Sequence, residues 1–233
     1  MKKIILTLLF IFTIFSFANI STSNAEYSKS MVFVNNNTDN SIELAKKVEN
    51  LERKMYVDNL IQRIEFESEI IIPNAINVKY VEYTYNLANQ LKLPTRTVFR
   101  LMYTESRFID TLTSSKGARG LMQLMPNTRN EYYTQLRVDT LKLDNNQEDI
   151  YIALNMLKDL HKYWKSKGHS EKYSWKLTLA SYNSGSGSVK KYRGIPPYTE
   201  TIDFVNFISK SPSNPEFYFK YIRKYENTVK ISS

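Results

Sequence analysis

Glu105 is the residue whose setting most invites a chemical reading. It lies in Tyr103-Thr104-Glu105-Ser106-Arg107-Phe108, at helical spacing from Leu101, Met102 and Phe108. Side chains three or four apart share one helix face, so this carboxyl sits inside an apolar stripe. Burial disfavours the ionised form, and a carboxyl still protonated near neutral pH can serve as a general acid. The plainer alternative is a glutamate at the stripe's edge, reaching solvent or an arginine such as Arg107 or Arg119. Asp110 is a poor second carboxyl. Five residues on, it falls ~140° further round a helix that turns ~100° per residue, and past the expected helix end.

Two later segments carry glycines and sugar-compatible polar groups. The first is Ser115-Lys116-Gly117-Ala118-Arg119-Gly120-Leu121-Met122-Gln123-Leu124-Met125-Pro126-Asn127-Thr128. Gly117 and Gly120 bracket a tight approach before what reads as a short apolar helix. The second is Ala180-Ser181-Tyr182-Asn183-Ser184-Gly185-Ser186-Gly187-Ser188-Val189, followed by Gly194-Ile195-Pro196-Pro197-Tyr198-Thr199-Glu200-Thr201. Gly185 and Gly187 allow a sharp turn after a helix and a close approach to a ligand. Gln123, Tyr182 and Asn183 bring amide and phenol groups suited to sugar hydroxyls and acetamido groups.

In this order and spacing the segments resemble the family 1 lytic transglycosylases, over about residues 77–210. The resemblance implies an all-α, goose-lysozyme-like helical domain with an additional N-terminal helix. It implies that Glu105 is the catalytic acid and base and that Gln123, Tyr182 and Asn183 line a sugar groove. Ser114, Met122, Tyr198 and Glu200 are further expected substrate contacts. The implied reaction needs one carboxyl. Glu105 protonates the oxygen between N-acetylmuramic acid and N-acetylglucosamine, and the substrate's own 2-acetamido group stabilises the charge at C1. Glu105 then takes the proton of the C6 hydroxyl as it attacks C1, giving a 1,6-anhydro sugar without water. Ordinary glycosidases use two carboxyls, with substrate-assisted enzymes as exceptions. One departure stands out. The family usually has a tyrosine near the catalytic glutamate where this chain has Phe204. Either Tyr182 or Tyr198 orients Glu105 in its stead, or the rate is lower, or that hydroxyl is dispensable. The rival functions are a goose-type muramidase and a peptidoglycan-binding protein of weak activity.

The elements that position these residues read as helix after helix. Apolar spacing marks Ser41 to about Ile70, with Leu44, Val48, Leu51 and Met55 as the stripe, then Val78–Leu91 and a helix opened by Pro94. Further helices are expected over Gln147–Trp164, Trp175–Tyr182, Tyr198–Ile208 and Pro215–Tyr225. No segment keeps the period-two alternation of a strand between hairpin turns. The domain reading is a signal peptide over 1–25, a flexible lead-in and amphipathic helix over 26–76, a catalytic domain over 77–210, and a helical extension packed on it over 211–233.

The 233-residue chain opens with Lys2 and Lys3, an apolar run to about Phe17, and Ser23-Asn24-Ala25. That is the layout of a secretory signal cleaved near Ala25, and the run is short of the ~20 residues of a membrane span. The expected location is therefore periplasmic or in the cell envelope. Net charge is +9, and +7 without the first 25 residues, which hold two lysines and no acid. Such a surplus suits anionic partners, but the basic residues form no stripe or motif of a nucleic-acid binder. The expected partner is peptidoglycan glycan, with an envelope-spanning assembly as a candidate recruiter of the Ser41–Ile70 helix, and the expected state is a monomer. There is no cysteine, so no disulfide or thiolate site forms. His161 and His169 read as solvated surface residues without a third ligand, so neither a metal nor another cofactor is expected.

Overall fold

The computed structural model describes residues 38–210, with side chains from residue 43 onward. The segment expected to be a signal peptide, most of the expected lead-in and the expected C-terminal helix lie outside the described residues. Eight α-helices occur among the described residues: α1 (Thr38–Ser68), α2 (Val78–Gln90), α3 (Thr95–Ser106), α4 (Pro126–Gln135), α5 (Asn145–Ser166), α6 (Glu171–Ser184), α7 (Ser186–Tyr192) and α8 (Thr199–Ser209). A 3₁₀ turn over Val138–Thr140 separates α4 from α5. No strand is present among these residues beyond two isolated bridges, Thr113 with Arg119 and Arg119 with Leu124.

Two units are described separately, residues 1–56 and 57–233. In the first, the described part of α1 is helical, and a Glu43–Lys47 ion pair at 2.7 Å joins successive turns. Its apolar stripe is not a core: Leu51 is 53% exposed and Met55 41%. The burial expected along this whole helix begins only at Leu60 and Ile64, within the second unit.

The second unit is built round α3, on which Val98, Phe99, Arg100, Leu101 and Met102 are all buried. Five consecutive buried residues mean that the helix is covered on every side. It packs against α2 and α8, while α5 packs against α2, α4 and α6, and α6 against α7 and α8. Ile150, Ala153, Leu154 and Leu157 of α5 meet Leu177 and Ala180 of α6 in one core. The helix starts have local causes. Asp144 accepts from the backbone N–H of Asn146 (3.1 Å) and Gln147 (3.0 Å), and the Gln147 side chain accepts from the Asp144 N–H at 3.2 Å. This capping box starts α5 two residues ahead of the expected Gln147. Asn77 and Ser170 cap α2 and α6 in the same manner.

The short apolar helix expected after Gly120 does not form. Residues 121–124 make a turn in which Gln123 takes a left-handed φ of 46°. Leu121, Met122 and Leu124 are nonetheless buried. The next helix, α4, starts at Pro126 and buries none of its residues. Gly120 has φ +70°, and a Cβ there would meet Asn146 Oδ1 and Asp149 Oδ2 at 3.3 Å each. A larger residue would be strained at this left-handed φ and would press on both side chains. His161 is not a solvated surface residue: its ring stacks on Trp175 at 4.2 Å and 19°.

Candidate active site

Glu105 is the second-to-last residue of α3, and the helix stops abruptly behind it. Arg107 takes φ 53° and Phe108 φ 64°, two successive left-handed residues without glycine. Each such residue costs roughly 1–2 kcal/mol, and strain of this kind persists only where the surroundings impose it. Ser106 supplies part of that restraint. Its Oγ lies 2.9 Å from the Leu121 carbonyl and 3.1 Å from that of Met102, and it accepts from the Phe108 N–H at 3.2 Å. The end of α3 is thereby tied to the 121–124 turn.

Three further hydrogen bonds draw the other segments together. The Tyr182 hydroxyl, near the end of α6, donates to the Met122 carbonyl at 2.8 Å. Thr201, on the first turn of α8, donates to Asn183 Oδ1 at 2.7 Å. Gln123 Nε2 donates to the carbonyls of Leu112 (3.1 Å) and Gly120 (3.0 Å). Both of its partners can only accept, which fixes the amide's orientation and leaves Oε1 as the free end. Asn183 accepts from the Thr201 hydroxyl through Oδ1, which ties the end of α6 to α8. Gly185, with φ +81°, then breaks α6 from α7 directly after this pair.

The Glu105 carboxyl makes no hydrogen bond or ion pair with the described residues. Burial pushes its pKa up to about 8, with the nearby Glu200 carboxylate adding like-charge repulsion. The carboxyl therefore carries its proton at neutral pH. Tyr182 is pushed well above the usual phenol range, first by burial and then by the charges of Glu105 and Asp149. It stays a donor, and its proton is committed to Met122.

The sequence-derived residues do not all stand in equivalent places. Glu105 is within electrostatic reach of both Tyr182 and Glu200. Gln123 and Asn183 belong to the segments bonded around them. The Met122 side chain is fully buried and its carbonyl is taken, so it lies beneath this surface. Ser114 shapes its loop, accepting from the Ala118 N–H at 3.0 Å. Tyr198 is 42% exposed and meets Tyr192 edge-on at 5.7 Å. Phe204 is buried in the core. Neither Tyr182 nor Tyr198 hydrogen-bonds Glu105, so neither replaces the missing hydroxyl by direct contact. The two arginines that might have paired with Glu105 are elsewhere: Arg107 lies over the Tyr103 ring at 4.1 Å, and Arg119 is near Asp149.

Sequence reasoning missed Thr201 and Ser106. Each acts through a bond to a residue 15 or more positions away, which no local pattern announces. Replacing Tyr182 with Phe leaves the Met122 carbonyl without its donor. The expected cost is about 1–3 kcal/mol, read as a lower denaturation midpoint at unchanged slope. A change below 0.5 kcal/mol would show that solvent already serves that carbonyl.

Two curated relatives, each called membrane-bound lytic murein transglycosylase D, come from Escherichia coli strains K12 and O6:H1. Each is 31% identical over 122 residues, which covers 50% of this chain and 25% of the relative. The chain thus matches only a quarter of their length. Among solved structures, an inactive mutant of the lytic transglycosylase Slt from Pseudomonas aeruginosa has 22% identity and a TM-score of 0.46. It covers 66% of this chain and 25% of that one. Among the described residues no helix is long and apolar enough to cross a membrane. The profile of the Transglycosylase SLT domain matches residues 82–204, more than half of the sequence, and the chain belongs to that family.

Proposed function

We propose that this protein is a peptidoglycan lytic transglycosylase that cleaves the β-1,4 bond between N-acetylmuramic acid and N-acetylglucosamine, with Glu105 as its acid and base. The observation that carries the reading is a protonated carboxyl without a hydrogen-bond partner among the described residues, held at a pKa of about 8 beside Tyr182 and Glu200. A general acid needs a proton at working pH, and a pKa of about 8 supplies it at Glu105.

In this reading the Glu105 proton passes to the glycosidic oxygen as the C1–O bond breaks. The 2-acetamido oxygen of the substrate supports the positive charge at C1. The C6 hydroxyl then bonds to C1 and returns its proton to Glu105, so the enzyme is regenerated and no water enters. An attacking group held within the same sugar has a high effective molarity. The Asn183 amide and the Gln123 Oε1, the latter left free by its two carbonyl bonds, are the groups that would meet acetamido and hydroxyl partners. Ser114, Met122, Tyr198 and Glu200 complete the proposed substrate-contacting set. Of these, Met122 would act by holding Tyr182, and Ser114 through the hydroxyl proton that its loop bond leaves free.

What favours a hydrolase instead is Glu200. It is an exposed carboxylate close enough to raise the Glu105 pKa, and a second carboxyl is what a water-activating mechanism requires. Product chemistry separates the two. Digestion of purified sacculi followed by mass spectrometry is expected to give fragments ending in 1,6-anhydro-muramic acid. Reducing ends would make the protein a muramidase, and no soluble fragments would make it a wall-binding protein. We take the chain to act in the cell envelope as a monomer, possession of the Lys2–Ala25 leader being the support for export. A wall-spanning assembly is the partner that α1 would serve.

A further inference from the structure

Away from Glu105, a hollow of about 300 Å³ opens between the end of α5, the loop leading into α6, Leu177 of α6 and the last part of α7 with Arg193 behind it. Its lining contains Lys167, His169, Lys190 and Arg193 around Tyr163 and Trp164, with two aliphatic side chains and no carboxylate. The lysines come from different helices yet converge on one ring. Lys167 Nζ is 5.1 Å from the Tyr163 centroid and Lys190 Nζ is 4.7 Å from it. The two ammonium groups are therefore within 10 Å of each other. That is comparable with the Debye length of about 8 Å at physiological salt, so their repulsion is not screened out.

Cations near helix C-termini are ordinary, because they complement the dipole. That explains a lysine at the end of α5 or α7 taken singly. It does not explain why both ammonium groups lie over one tyrosine ring, while neither they nor Arg193 forms an ion pair among the described residues. What sets the hollow apart is its lining, which gathers basic side chains from separate elements on one concave surface with no carboxylate among them.

We infer that this hollow binds a phosphate group carried on a small polyol or sugar. Three positive charges exceed what one carboxylate would neutralise, whereas a phosphate monoester carries about −1.5 to −2 at neutral pH. Arg193 offers a planar fork of donors and the lysines point charges, and the two kinds together suit a tetrahedral oxyanion. The hollow is concave and has room for the phosphate with the first carbons of its carrier, against the Trp164 side of the lining. The site is independent of the chemistry at Glu105.

The test uses the full chain with Glu105→Gln, so that no activity enters the readout. Glycerol 3-phosphate is titrated into the ¹⁵N-labelled protein. Saturable amide shifts are expected at residues 167–169 and 190–193, weaker shifts with acetate, and none with glycerol. A Lys167→Glu/Lys190→Glu double variant should bind at least tenfold more weakly. Lys158→Glu, an exposed change on α5 outside the hollow, should bind as the parent does. Both lysines of the double variant are exposed, and an unchanged melting temperature would establish that its fold is intact. Shifts scattered over the basic surface, equal weakening by Lys158→Glu, or binding only to anionic lipid vesicles would each overturn the assignment.

Discussion

Glu105→Gln is expected to lower turnover of sacculi by at least ~10³-fold, within the range that one general acid supplies, and at the same time to make the protein more stable. The two effects share a cause. A carboxyl held at a pKa of about 8 keeps its proton in the folded state at pH values where the unfolded chain, near 4.5, has released it. Between those values the folded state binds more protons than the unfolded one, so stability falls as pH rises through the window. The wild type should thus lose stability steadily from about pH 4.5 to pH 8. Glutamine has no proton to lose and escapes that slope. Each pKa unit corresponds to ~1.4 kcal/mol, and the carboxyl retains some solvent contact, so a gap of about 2–4 kcal/mol at pH 9 is the reasonable scale. Melting curves at pH 5, 7 and 9 measure it. Parallel wild-type and variant curves would mean that Glu105 is solvated and ionised at neutral pH, and the acid role would go with it. In the wild type, activity should also decline above about pH 8, where the donor loses its proton.

The fold was legible wherever a helix buries one face. The spacing of apolar residues located α2, α3, α5, α6 and α8 to within a few residues. It failed where burial was absent or was achieved by another geometry. The polar helix α4 buries nothing and leaves no periodic trace. The seven-residue α7 is too short to show a period. Leu121, Met122 and Leu124 read as helical because they are apolar and adjacent, but a left-handed Gln123 turns them inward without a helix. At the candidate site, the identity of Glu105 came from a resemblance in motif order, and its burial from its stripe. The state of its neighbours was not legible. That Tyr182 spends its proton on a carbonyl 60 residues away is a tertiary fact. The same holds for Phe204: sequence marks the absent hydroxyl, and packing alone puts the ring in the core.

The restraint that keeps α8 in place can be removed at one residue. Arg100, buried in the middle of α3, donates through Nη1 to the Ser68 carbonyl at 3.0 Å and through Nε to the Phe207 carbonyl at 3.2 Å, with Nη2 also on Phe207. Ser68 ends α1 and Phe207 lies in the last turn of α8, so one guanidinium serves two helix ends whose carbonyls have no partner within the helix. It also lies over the Phe207 ring at 4.7 Å and beside the buried Glu69 carboxylate at 3.7 Å. Arg100→Leu would strand both carbonyls and that carboxylate. Removing one partner of a buried pair typically costs 3–5 kcal/mol, so a loss of about that size is expected from denaturant unfolding. Arg100→Lys should recover only part of it, since an ammonium cannot reach both helix ends from one planar fork. Glu69→Gln placed on Arg100→Leu should return some of the loss by removing the stranded charge. A cost below 1 kcal/mol for Arg100→Leu would show that water reaches these groups, and that α8 with Glu200 and Thr201 is held by apolar packing alone.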